Sequence, residues 1–102
     1  MQLRPGQRFR SQVCETQIII VRPAETDVIL KCGGSPVVDL DSDVQSDSAP
    51  QDGLASGNEM GKRYVTKDGP LEVLVTKAGI GTLTVGDDPL IVKEVTPLPS
   101  SD

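Results

Sequence analysis

An all-β fold is predicted by three features of the sequence. Four short runs are dominated by β-branched and aliphatic residues and end at Pro, Gly or polar residues: Gln17-Ile-Ile-Ile-Val-Arg22, Asp27-Val-Ile-Leu-Lys31, Leu71-Glu-Val-Leu-Val-Thr76 and Thr82-Leu-Thr-Val85. Such runs read as strands. No segment keeps apolar residues at helical spacing over about 11 positions. Eight prolines and ten glycines interrupt any attempt to build one, so almost no helix is expected.

Taken in order, the first run stops at Pro23 and the second at Gly33-Gly34, which predicts a hairpin with its turn at Pro23 to Thr26. The third and fourth runs bracket Lys77-Ala-Gly-Ile-Gly81 and predict a second hairpin of similar size. Aromatic content is one Phe and one Tyr with no Trp, so the core must be aliphatic. Ile18, Ile20, Val28 and Leu30 on one side, with Val73, Val75, Leu83 and Val85 on the other, are the core candidates. Between the hairpins, Asp39 to Glu59 reads DLDSDVQSDSAPQDGLASGNE. That composition buries too little apolar surface to offset its ordering entropy. Residues 39–60 are therefore expected to be a flexible acidic linker between a first unit, 1–38, and a second, 61–95, with 96–102 a frayed, disordered tail.

The two units repeat one another. Gly6, Arg8, Phe9 and Ser11 recur 55 residues later as Gly61, Arg63, Tyr64 and Thr66, and Ile18 and Ile20 recur as Val73 and Val75. From there the offset is 53: Leu30, Gly33, Pro36, Val37 and Val38 recur as Leu83, Gly86, Pro89, Leu90 and Ile91. The two-residue difference falls at the predicted turn, where length changes cost least. Duplication of one unit is the reading this order favours.

The repeat unit, Gly-x-x-aromatic, a first knuckle, a β-hairpin, a second knuckle and then Pro-apolar-apolar, resembles desulforedoxin, the small iron-binding relative of rubredoxin. Gly61 to Lys93 aligns to it without a gap, and Gly6 to Val38 aligns with two extra residues in the hairpin turn. The resemblance implies two desulforedoxin-like units packed as an intramolecular pseudo-dimer. That family holds one metal with a Cys-x-x-Cys knuckle and an adjacent Cys-Cys pair. Here Ser11, Cys14, Cys32 and Gly33 stand at those positions in the first unit, and Thr66, Gly69, Val85 and Gly86 in the second. A tetrahedral site needs four deprotonated ligands, so no metal is expected. The superoxide-reducing centre of larger relatives needs several histidines, and the chain has none. A unit without its metal must recover stability by packing its aliphatic face on the other unit.

If the family geometry holds, the sulfurs of Cys14 and Cys32 face one vacated metal position, close enough to bridge. Three readings stay open: buried free thiols acting as small apolar residues, a redox-sensitive disulfide, or zinc or iron at Cys14 and Cys32 completed by Glu15, water or a second chain. With no Lys or His beside Cys14, no strongly lowered thiol pKa is expected.

Composition closes other routes. Without His the commonest general base and metal ligand is missing, and no carboxylate pair sits in recognisable acid and base environments. No enzyme is expected, with no catalytic residues and no cofactor. Six of the fifteen acidic residues lie in the 39–60 stretch, which has no Lys or Arg. The remainder is near neutrality and offers no field for nucleic acid or an anionic membrane. No apolar run approaches the roughly 18 residues needed to span a bilayer, so a cytoplasmic protein is expected. Gly79-Ile-Gly81 lacks a helix behind it and is no phosphate loop. Lys62, Arg63 and Lys77 read as solvated surface, and Asp87-Asp88 as a tight turn without converging calcium ligands. Two functions follow: a non-catalytic accessory module that binds an unidentified protein partner or forms a homo-oligomer, or a thiol redox or metal-responsive protein using Cys14 and Cys32.

Overall fold

Pro23 and Gly33-Gly34 end strands where the sequence places them, yet the strands they bound do not pair with each other. The computed structural model describes residues 3–24, 27–42, 49–67 and 70–93. Ten strands and no helix lie among the described residues: β1 (Arg8–Arg10), β2 (Gln17–Arg22), β3 (Leu30–Cys32), β4 (Ser35–Pro36), β5 (Val38–Asp39), β6 (Arg63–Val65), β7 (Glu72–Lys77), β8 (Leu83–Val85), β9 (Asp88–Pro89) and β10 (Ile91–Val92). The all-β class is as expected. The strands form two antiparallel sheets, one of six in the order β10-β6-β7-β2-β1-β5 and one of four in the order β4-β3-β8-β9.

The hairpin assignment is thereby corrected. β2 and β3 lie in different sheets, as do β7 and β8. The alternation of buried side chains fixes which face of a strand turns inward but leaves its neighbour open. Here each sheet is joined at its middle by a pair of strands from the two halves. β2 pairs with β7, setting Ile18 opposite Val75, Ile19 opposite Leu74 and Ile20 opposite Val73. β3 pairs with β8, setting Leu30 opposite Val85, Lys31 opposite Thr84 and Cys32 opposite Leu83. Local pairing is shorter. β1 returns as β2, with Phe9 opposite Ile18, and β3 returns as β4 through Gly33-Gly34, whose φ values of 66° and 91° suit a two-residue turn with both central residues left-handed. Tyr64 stands opposite Val73 as Phe9 stands opposite Ile18.

One aliphatic cluster joins the two sheets. Ile18, Ile20, Val73 and Val75 face inward from the large sheet and Leu30 and Leu83 from the small one, all of them buried. Val28 and Val85, the other two core candidates, are only partly buried. Phe9, Tyr64, Val37, Leu71, Leu90 and Cys32 complete the cluster. The short edge strands limit open pairing, and those of the small sheet each carry a proline, Pro36 and Pro89, which removes a donor from the edge.

The acidic stretch departs from a simple tether. Its first residue, Asp39, ends β5 opposite Phe9. From residue 51 onward the backbone is hydrogen-bonded to both sheets' loops: Gln51 N donates to Gly33 O, Thr82 N to Leu54 O, and Asn58 N to Gly79 O. Backbone amides and carbonyls of this segment thus find partners in the loops with few apolar side chains to bury, a possibility hydropathy does not register. Residues 43–48 and the tail 96–102 lie outside the described residues.

Candidate functional site

The turn between β1 and β2 is organised by one hydroxyl. Ser11 Oγ, buried, accepts the N–H groups of Val13 and Cys14 at 3.1 and 3.2 Å, while Ser11 N donates to Thr16 O at 2.9 Å. This local wrap, an instance of a serine bonding the backbone just ahead of it, turns the Cys14 side chain inward. There Cys14 Sγ lies 3.3 Å from Ser11 Oγ, 3.1 Å from Thr16 Oγ1 and 3.7 Å from Cys32 Sγ. Cys32 comes from the end of β3 and is fully buried, whereas Cys14 is partly exposed, and both are free thiols.

The other wall belongs to the second half. A Cβ on Gly81 would sit 2.7 Å from Cys32 Sγ and 3.1 Å from Cys14 Sγ, and one on Gly79 would sit 3.0 Å from Cys14 Sγ and collide with Thr16 Oγ1. Only glycine lets the Gly79-Ile80-Gly81 backbone approach the sulfurs this closely. Asn58 fastens that backbone from the acidic stretch. Its Nδ2 donates to Thr16 Oγ1 at 2.8 Å and to Gly81 O at 2.9 Å, and its Oδ1 accepts from Gly79 N at 3.1 Å.

These contacts set the two thiols apart. Burial pushes Cys14 up, but hydrogen bonds from the Ser11 and Thr16 side chains and from the backbone of Thr16 and Gly81 outweigh it and lower the pKa from 9.0 to about 7. Burial pushes Cys32 up as well, and repulsion from the Cys14 sulfur adds to it, raising the value to about 11. The expectation of no strongly lowered Cys14 pKa rests on the absence of a nearby Lys or His, and it leaves out hydrogen bonds from neutral groups. Neutral donors stabilise the anion here without any cation.

A four-thiolate metal centre does not fit these residues. The 3.7 Å separation of the sulfurs is close to the edge of a tetrahedron with zinc–sulfur bonds of about 2.3 Å, but Cys14 and Cys32 are the two cysteines of the sequence, so there is no further thiolate to complete it. Glu15 is exposed, and no group of three or more Cys, Asp or Glu side chains converges among the described residues. In the second half Thr66 and Val85 are partly buried and Gly86 is exposed, while Gly69 lies outside the described residues. Lys62, Arg63, Lys77, Asp87 and Asp88 are all exposed. Among the described residues no helix is long and apolar enough to cross a membrane.

Sequence reasoning located the two cysteines and missed Thr16, Asn58, Gly79 and Gly81 as their surroundings. Thr16, two residues from Cys14, was the one with a local signal. The chain matches no protein-family model, no curated protein and no solved structure.

Proposed function

We propose that the protein is a small redox-active dithiol module whose Cys14 and Cys32 interconvert between two thiols and one disulfide. The observation that carries this reading is the 3.7 Å separation of the two sulfurs. Closing it to a bond of about 2.0 Å takes a shift of side-chain size, with two protons and two electrons passing to an oxidant. The unequal acidity of the pair supports it further, because exchange begins from a thiolate. An 18-residue loop closed in this way stabilises the fold by roughly 3 kcal/mol on the chain-entropy model.

Diamide treatment followed by mass spectrometry tests it. Both free thiols should vanish with a loss of two hydrogens and no crosslinked chains, and a reductant should restore them. Persistent thiols, or zinc or iron at near one per chain in purified protein, would overturn the reading. Small size and the lack of recognisable acid–base machinery fit an accessory module rather than an enzyme, in a reducing compartment such as the cytoplasm where a disulfide can act as a signal.

We also infer that the chain is a duplicated unit folded as a pseudo-dimer. Support comes from the registers, since Phe9–Ile18 and Tyr64–Val73 pair alike at an offset of 55 and Lys31–Pro36 and Thr84–Pro89 pair alike at 53. The resemblance to desulforedoxin rests on the same correspondences and on the place of the two cysteines. A second reading, docking of a protein partner or another copy, is favoured by one outward row on the large sheet. Arg8, Ile19, Leu74 and Arg63 stand side by side across four strands, two aliphatic side chains between two cations, which suits an acidic partner with apolar residues.

A further inference from the structure

Resting on the dithiol reading, we propose that the oxidant is a small hydroperoxide, that Cys14 attacks it, and that Cys32 resolves the product. Exposure divides the labour: Cys14 is partly open to solvent and Cys32 is sealed at 0% exposure. Only Cys14 can meet a substrate. The approach to it is narrow, because the Ser11 and Thr16 hydroxyls lie within 3.3 Å of the sulfur and the backbone of Gly79 and Gly81 is near enough to exclude a Cβ. A polypeptide disulfide would have to bring its own two sulfurs and their chains into line with Cys14. A hydroperoxide brings two oxygens.

The donors around the sulfur suit cleavage of an O–O bond. Ser11 Oγ already accepts the N–H groups of Val13 and Cys14, and Thr16 Oγ1 already accepts from Asn58 Nδ2. Ser11 Oγ accepts from the Cys14 thiol before ionisation, and the Thr16 hydroxyl keeps its own proton for an anion, first the sulfur and then the departing oxygen. In the first step the Cys14 thiolate bonds to the nearer peroxide oxygen, the O–O bond breaks, and the leaving oxygen takes up a solvent proton to give an alcohol or water. Cys14 becomes a sulfenic acid. In the second step Cys32 Sγ, 3.7 Å away, bonds to the Cys14 sulfur, and the sulfenic hydroxyl leaves with the Cys32 proton as water. Together, one hydroperoxide and two thiols yield one disulfide, one alcohol and one water.

Ionisation alone sets a floor for the rate. At pH 7 a thiol of pKa about 7, against an ordinary 9.0, holds about fifty times more thiolate, and its weaker nucleophilicity takes back about eightfold. The net gain is about sixfold, so a larger acceleration must come from the positioned donors.

The test uses the full chain with Cys32→Ser and hydrogen peroxide at pH 7, trapping the sulfenic acid with dimedone. Cys14 should react about thirtyfold or more faster in the folded protein than in the same variant unfolded in urea. Thr16→Val should lose at least about tenfold of that rate and Thr16→Ser should regain it. An acceleration of sixfold or less would overturn the proposal. Because either substitution could disturb folding, the wild-type chain is examined alongside, where dimedone should mark Cys14 and never Cys32. Marking of Cys32 first would overturn it. If diamide closes the disulfide but peroxide does so no faster than in urea, the peroxide assignment falls and the dithiol reading stands. If neither closes it, both fall.

Discussion

The acidity of Cys14 is built from neutral groups, and its consequence for stability can be worked out by pH. Cys14 has a folded pKa of about 7 against an ordinary 9.0, so the stability it contributes is present above pH 9 and is lost as pH falls through 7. Cys32 is raised to about 11, so its contribution is present below pH 9 and is lost as pH rises through 11. The reduced protein should gain stability from pH 7 to 9 and lose it from 9 to 11. Solvent screening at the partly exposed Cys14 makes the gain smaller than the shift alone implies. Urea midpoints measured in reductant across this range check it, with Cys14→Ser as the control that removes the rise from 7 to 9. A wild-type midpoint that does not rise over that interval would contradict the hydrogen-bond account. Glu72 belongs to the same scale. Hydrogen bonding from Lys93 at 2.9 Å, with Arg63 at 3.3 Å, holds this buried carboxylate below its ordinary value.

At the scale of elements, the strands were legible and their partners were not. Pro23 and Gly33 stop β2 and β3 as punctuation should, and the alternation Ile18, Ile20 and Val73, Val75 marks the inward faces. Nothing in a period of two says that β2 lies against β7, because a residue's face is a local property and its neighbour a global one. The contacts of the acidic stretch from residue 51 onward were not legible for a related reason. Asn58 carries no hydropathy signal, yet it ties Thr16 in the first half to Gly79 and Gly81 in the second. Replacing it by Ala leaves the Gly79 N–H, the Gly81 carbonyl and the Thr16 hydroxyl each one partner short. Asn58→Ala should therefore lower stability by about 1–3 kcal/mol and speed hydrogen exchange at the Gly79 amide. An unchanged urea midpoint and an unchanged Gly79 amide would mean that water replaces the side chain without cost.

For the whole molecule the decisive contacts are the two ladders between halves, because neither half has a core of its own. Ile18 and Ile20 from one half meet Val73 and Val75 from the other, and Leu30 meets Val85 while Leu83 meets Cys32. The dithiol site is divided in the same way, with both sulfurs on one half and the Gly79-Ile80-Gly81 wall on the other. That division explains why two cysteines could be picked out of the sequence while their surroundings could not: Gly81 and Cys14 are 67 positions apart, and only the cross-half pairing brings them together. It also yields a prediction. A protease site placed within 43–48 would cut the covalent link between Ser42 and Ala49 without touching either ladder. Because Gln51, Leu54 and Asn58 remain bonded to the loops of both halves, the cut chain should still migrate as one particle and keep its β-sheet signature. Its unfolding should change character, since separating two fragments gains translational freedom. The urea midpoint should fall on dilution, whereas that of the intact chain should not move. Fragments that separate without denaturant would show that the ladders depend on the tether, and a concentration-independent midpoint would show that one half folds alone.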